Sequence, residues 1–136
     1  MSIILIDTCV ITDLSNKENE WYEWCSSTLE SLDDSNSLII NDVIYAESSV
    51  IYPTIEEFNK YLSVLDFSTS TIPHEALFLA GKAFLKYRKN KGTKCNVLPD
   101  FFIGAHAAVN KYKLMTRDKG RFSTYFPTVE LIIPYH

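Results

Sequence analysis

Short apolar runs recur at residues 3–6, 38–40, 65–67, 113–115 and 129–133, and the intervals between them carry helical periodicity. Strands separated by helices cannot pair through tight hairpins. They join in parallel through right-handed crossovers, and the helices then cover both faces of the sheet. The expected fold is therefore α/β, with three layers, α/β/α, built on a central, mostly parallel sheet. Residues 18–33 set Trp21, Cys25, Leu29 and Leu32 on one stripe, and residues 54–65 do the same with Ile55, Phe58, Leu62 and Leu65. Thr54 and Glu57, following Pro53, read as a capping box. Residues 74–89 bring Ala76, Leu77, Ala80, Ala83, Phe84 and Tyr87 to helical spacing with most lysines on another side; Gly92, Thr93 and Pro99 then interrupt the chain before a helix over 100–109. A length of 136 residues with 46% hydrophobic content suits one compact domain over 1–136, undivided by repeat or linker.

In open α/β sheets, ligands bind at the carboxyl ends of the strands. Two acids are expected at that edge, because Asp7 closes the run Ile3-Ile4-Leu5-Ile6 and Asp118 follows Leu114-Met115-Thr116-Arg117. Two more lie on helices. With Asn41 as N-cap, Glu47 falls one turn from Val43 and one turn from Val50 and Ile51, so its carboxylate emerges among core-facing neighbours, where an unpartnered charge is costly. Asp100 follows Pro99 and shares a face with Ile103, Gly104 and Ala107, the glycine leaving room for a backbone or a substrate to approach.

Each acid also has an ordinary explanation. Asp7 suits an N-cap, Asp118 opens a turn completed by Gly120, Asp100 is a first-turn acid favoured by the helix dipole, and Glu47 can reach past the apolar margin to water. As a set they ask for positive charge, and carboxylate oxygens suit the hard cations Mg²⁺ and Mn²⁺. Thr116, two residues before Asp118, is either a hydroxyl that orients a carboxylate or water, or a plain strand threonine. Asp13, Asp33, Asp34 and Asp42 read as helix-start or surface acids.

Charge is divided unevenly. Residues 1–81 hold two basic residues against fourteen acids, and residues 82–136 hold eleven against three. The basic run Lys82, Lys86, Arg88, Lys89, Lys91 and Lys94 is a solvated helix face or an attractor for a polyanion. Cys9, Cys25 and Cys95 lack the pairing of a disulfide framework or zinc knuckle, and His74, His106 and His136 lack metal-ligand spacing. There is no nucleophile elbow and no glycine-rich phosphate loop. The start of the chain has no basic leader, and its apolar run meets Asp7 at once, which argues against a signal peptide or membrane span and for the cytoplasm. Trp21, Tyr22 and Trp24 cannot all face the core, so part of that aromatic surface is available to a partner.

Four pieces in order, Leu5-Ile6-Asp7-Thr8, residues 41–47 (Asn-Asp-Val-Ile-Tyr-Ala-Glu), residues 98–107 around Pro99-Asp100, and Leu114-Met115-Thr116-Arg117-Asp118, resemble the PIN domain. More closely, they resemble the VapC-like toxins of type II toxin-antitoxin modules. Tyr125-Phe126-Pro127 before an apolar strand is similar too, so the resemblance spans nearly the whole chain. It implies a metal-dependent endoribonuclease that cuts RNA with metal-activated water, using Mg²⁺ (or Mn²⁺). Asp7, Glu47, Asp100 and Asp118 become the acidic catalytic and metal-binding residues, with Thr116 as an associated hydroxyl. A cognate antitoxin and a homodimer are the implied protein partners. RNA would lie along residues 82–94 and 111–121, with Arg88, Lys94 and Arg117 as phosphate contacts. Cys9 departs from the asparagine or serine often found after the Asp-Thr pair. Two rivals stand beside this reading: a catalytically weak PIN-type binding or regulatory module, and a Mg²⁺-dependent receiver-like signalling domain. The latter expects paired acids after the first strand, where this chain has Thr8-Cys9.

Overall fold

In the computed structural model, which describes residues 2–90, 92–93 and 97–134, five strands form one parallel sheet. They are β1 (Ile3–Ile6), β2 (Ser37–Asn41), β3 (Ser68–Ser70), β4 (Lys113–Met115) and β5 (Leu131–Ile132), in the spatial order β3-β2-β1-β4-β5. The helices are α1 (Thr8–Leu14), α2 (Tyr22–Asp33), α3 (Asp42–Ser49), α4 (Ile55–Val64), α5 (His74–Lys89), α6 (Leu98–Asn110) and α7 (Lys119–Tyr125), and the whole is a three-layer α/β/α fold. Among the described residues no helix is long and apolar enough to cross a membrane.

The central strands are buried on both faces, as a covered parallel sheet requires: Ile4, Leu5, Ile6, Ile40, Leu114 and Met115 are nearly inaccessible. Chain order reverses direction across the sheet between β1 and β4. From β1 the chain steps outward to β2 and β3, and then returns to the other side of β1 as β4 and β5. That reversal leaves a crevice at the carboxyl ends of β1 and β4, the place where such sheets take ligands.

Several boundaries differ from those read along the chain. The apolar run 65–67 is not a strand: Leu65 caps α4, Asp66 turns with φ 60°, and the Phe67 amide donates to Leu62 O at 3.1 Å. Its apolar side chains close the end of a helix. The edge strand that follows is Ser-Thr-Ser, polar as suits a sheet edge. Helix α2 starts at Tyr22 instead of 18, because Asn16 and Asn19 accept from the amides of Glu18 and Trp21 and hold the preceding residues in turns. Strand β5 shrinks to two residues.

The anticipated caps are present at α3, where Asn41 Oδ1 accepts from the Ile44 amide at 3.0 Å, and at α4, where Thr54 Oγ1 accepts from the Glu57 amide at 3.2 Å. Gly104 on α6 permits a close contact: a Cβ there would lie 2.3 Å from the ring of Phe126. Lys91, Lys94, Cys95 and His136 lie outside the described residues.

Candidate active site

Asp7 is both the last position of the β1 extension and the N-cap of α1. Its amide donates to Met115 O at 3.0 Å, continuing the β1–β4 ladder, while its Oδ1 accepts from the Thr8 amide at 2.8 Å. Oδ2 accepts from Thr116 Oγ1 at 2.7 Å and from Cys9 Sγ at 3.5 Å. Since the Asp118 amide donates to Thr116 Oγ1 at 3.0 Å, the threonine hydroxyl hands its own proton to Asp7 and cannot point elsewhere. Thr116 thus orients the Asp7 carboxylate through its hydroxyl, and Cys9 adds a longer thiol contact to the same oxygen.

Burial pushes the carboxyl of Asp7 up from its ordinary range, and the charge of Glu47 adds to that, against the hydrogen bonds from Thr116, Thr8 and Cys9. The Cys9 thiol is raised to about 12, by burial first and then by Asp7, so it stays protonated and serves as a donor.

Glu47 comes from α3, where the Asn41 cap sets the start of the helix. Thr8 Oγ1 donates to Glu47 Oε1 at 2.7 Å, so Thr8 links the acids of α1 and α3. The cap itself is anchored from below. Asn41 Nδ2 stands 3.1 Å from Nδ1 of fully buried His106, and as Asn41 donates, Nδ1 accepts and the ring proton sits on Nε2, facing Ser70 Oγ at 3.5 Å. Burial lowers the pKa of His106, with Asp42 opposing.

Asp100, in the first turn of α6, and Asp118, just before α7, share one cation. Arg121 Nη1 donates to Asp100 Oδ2 at 2.6 Å, and its Nε lies 3.6 Å from Asp118 Oδ2. Even so, the Asp100 carboxyl is pushed up to about 6, by burial first and by the charges of Asp7 and Glu47, with Arg121 only partly offsetting them. Asp100 thus feels the charges of Asp7 and Glu47, which Thr8 links, while Asp118 joins the group only through the Arg121 that it shares with Asp100. Sequence reasoning did not single out Arg121. The signal was there, in its i, i+3 spacing from Asp118 at the start of a helix.

Arg117, expected as a phosphate contact, is engaged by Asp13. Its Nε donates to Asp13 Oδ2 at 2.7 Å and its Nη2 to Asp13 Oδ1 at 3.4 Å, and its guanidinium lies 5.8 Å from the Trp21 ring centroid. Asp13, expected at the surface, is 1% exposed and also accepts from Asn19 Nδ2. A buried aspartate needs such partners, and the arginine among them lies far from its local sequence. Nor do residues 111–121 make one basic face. Lys111 and Lys113 sit at the amino end of β4, where Lys113 pairs with Glu130 at 3.2 Å, and Arg117 and Arg121 lie at the opposite edge. Arg88 and its neighbours Lys86 and Lys89 occupy the last turn of α5, which ends beside the first turn of α6 through the Tyr87–Phe101 ring contact at 5.6 Å.

Carboxylate oxygens are the donors a hard divalent cation prefers, so Asp7, Glu47, Asp100 and Asp118 suit Mg²⁺ or Mn²⁺ in chemistry. As placed, no three His, Cys, Asp or Glu side chains among the described residues converge on a metal position. Arg121 supplies the positive charge between Asp100 and Asp118, and a cation there would compete with it.

The family model for the PIN domain matches residues 4–125. Among solved structures, the chain is similar to VapBC2 from Rickettsia felis bound to a promoter DNA fragment (18% identity, 96% of this chain and 98% of that one, TM-score 0.72). It is also similar to VapBC-1 from nontypeable Haemophilus influenzae (17%, 96% and 97%, TM-score 0.73). A third likeness is to FitAcB from Neisseria gonorrhoeae (21%, 98% and 99%, TM-score 0.67). At these identities the likeness is one of fold. No curated protein matches significantly.

Proposed function

Since the chain belongs to the PIN domain family, we propose that it is a Mg²⁺- or Mn²⁺-dependent endoribonuclease and the toxin half of a toxin-antitoxin pair. The observation that supports this reading is the mutual effect of Asp7, Glu47 and Asp100, in which burial and neighbouring charge raise Asp7 and Asp100, with Asp118 tied to Asp100 through Arg121. Asp7, Glu47, Asp100 and Asp118 would hold a divalent cation, which would supply Lewis-acid polarisation of a phosphodiester and lower the pKa of a water. The chain's own residues do the rest. Asp7, fixed by Thr116, Thr8 and Cys9, presents a carboxylate that cannot rotate away. Thr8 aims Glu47 toward the same space. Arg121 is half exposed and can leave Asp100 for a phosphate oxygen. Lys86, Arg88 and Lys89 at the end of α5 supply the electrostatic approach for RNA, and Lys94 belongs to the same basic run.

The similar solved structures include complexes named VapBC and a toxin-antitoxin complex from Klebsiella pneumoniae, which supports a cognate antitoxin for this chain. Residues 21–32 and helix α4, with Ile55 and Val64 exposed, are the candidate surfaces for the antitoxin or for a second copy in a homodimer. A soluble cytoplasmic protein of a single domain fits this role. The test is cleavage of RNA by the purified, partner-free chain. Cleavage with Mg²⁺ or Mn²⁺, absent in EDTA and absent in Asp7→Asn, is the expected result. Binding of RNA or of an antitoxin without turnover under any divalent cation would favour the regulatory module instead.

A further inference from the structure

Beside the acids lies a recess of about 90 Å³ walled by Tyr87, Phe101, Tyr125 and Phe126, with Asp100 and Arg121 at its polar edge. Its rings pack against one another, Tyr87 to Phe101 at 5.6 Å and Phe101 to Tyr125 at 5.3 Å. The wall is therefore braced, and the remaining apolar surface faces the opening. Phe126 keeps its place because Gly104 has no Cβ to collide with it.

Resting on the reading above, we propose that this recess is the subsite for the nucleobase next to the scissile phosphate. Asp100 and Arg121 belong both to the acid group and to the recess, so a molecule with a phosphodiester at the acids reaches the recess with its adjoining part. In RNA that part is a ribose bearing a flat, aromatic base. The recess walls offer aromatic faces and edges, on which any base can stack. Arg121 offers the matching charge: its contacts to Asp100 and Asp118 involve Nη1 and Nε, and its side chain is 48% exposed. An apolar protein side chain in the recess would gain nothing from that guanidinium, whereas the phosphate attached to a base would.

The test uses the full chain with Mg²⁺ and five probes, the four 5′-nucleoside monophosphates and ribose 5-phosphate, with affinity read by NMR titration. At least one nucleotide is expected to bind about tenfold or more tightly than ribose 5-phosphate, a difference of about 1.4 kcal/mol, and to shift the resonances of Thr124 and Tyr125. Thr124 lines the recess and is exposed, so Thr124→Trp is designed to fill it. Tyr125→Ala removes a wall. Both variants should lose the preference for nucleotide over ribose 5-phosphate, with thermal melts reporting whether each is folded. Equal affinity for all five probes, or no binding of any, overturns the proposal, as does an unchanged preference in both folded variants. Binding of N-acetyl-leucinamide at Thr124 and Tyr125 in place of the nucleotides assigns the recess to a protein ligand and also overturns it. Cation-dependent RNA cleavage is scored separately. Cleavage without base preference breaks only this inference, and absence of cleavage together with absence of Mn²⁺ binding breaks the ribonuclease reading.

Discussion

The ion pairs Asp13–Arg117 and Asp100–Arg121 are made of the same two side chains, and their arginines stand four residues apart, yet they sit under opposite constraints. Asp13 is sealed in, and its partners answer it: both oxygens meet Arg117, and Asn19 adds a donor. The Arg117 pKa is raised accordingly, first by the hydrogen bond to Asp13. Asp100 also holds an arginine at 2.6 Å, but its carboxyl is still raised to about 6, because it faces Asp7 and Glu47 as well. One arginine satisfies one isolated acid and leaves a group of acids short of positive charge. The first pair is a strut between α1 and the end of β4; the second is a place where something cationic is still wanted.

The largest effect expected from breaking this contrast is on turnover. Asp100→Asn should lower RNA cleavage by at least about a hundredfold, the scale seen when one electrostatic element of a site is removed. Retained cleavage would make Asp100 a plain first-turn acid. Next comes the strut. Arg117→Ala leaves Asp13 buried without its cation and should cost about 3 kcal/mol of stability in urea denaturation. Asp13→Ala should cost less, because Arg117 is 35% exposed and can turn to water. A neutral Arg117→Ala would remove the distinction between the two pairs.

A smaller effect carries a pH signature. The folded pKa of Asp100, about 6, lies above its ordinary 3.8, so its contribution to stability is fully present below pH 3.8 and is lost as pH rises through about 6. In EDTA, Asp100→Asn should therefore melt higher than wild type at pH 8, by about 1 kcal/mol or a few degrees, and not at pH 4. A gain of equal size at both pH values would point to packing instead of charge. The smallest expected change is at Arg121. Removing the competing guanidinium with Arg121→Gln should tighten Mn²⁺ binding several-fold by calorimetry, even while it slows cleavage. Weaker Mn²⁺ binding would mean that the arginine helps to assemble the acids and does not compete for them.

The same contrast explains what could be read along the chain. Apolar strand runs and helical stripes identified the layers, because burial imposes its period on sequence locally. Asp7, Glu47, Asp100 and Asp118 stood out because each interrupts or borders such a pattern. What escaped was set by distance. Asp13 sits in the last turn of α1 and its cation is 104 residues away, so its burial could not be read from its neighbours. Lys111 and Lys113 looked continuous with Arg117 and Arg121 along the chain, but a strand between them carries the pairs to opposite edges of the sheet. The run 65–67 had the composition of a strand and became the end of a helix, since a terminating turn also needs apolar residues to cover it.

The bond from Thr116 to Asp7 spans 109 positions. A ribosome delivers Asp7 long before Thr116, and β1, at the centre of the sheet, must wait unpaired on one side until β4 arrives. Such long-range closure slows folding and leaves the early chain dependent on protection. It also means that a half-made chain carries the first acid without the hydroxyl that aims it and without Asp100 or Asp118. Any chemistry that needs all four acids therefore waits until residue 118 has been made and β4 has closed on β1.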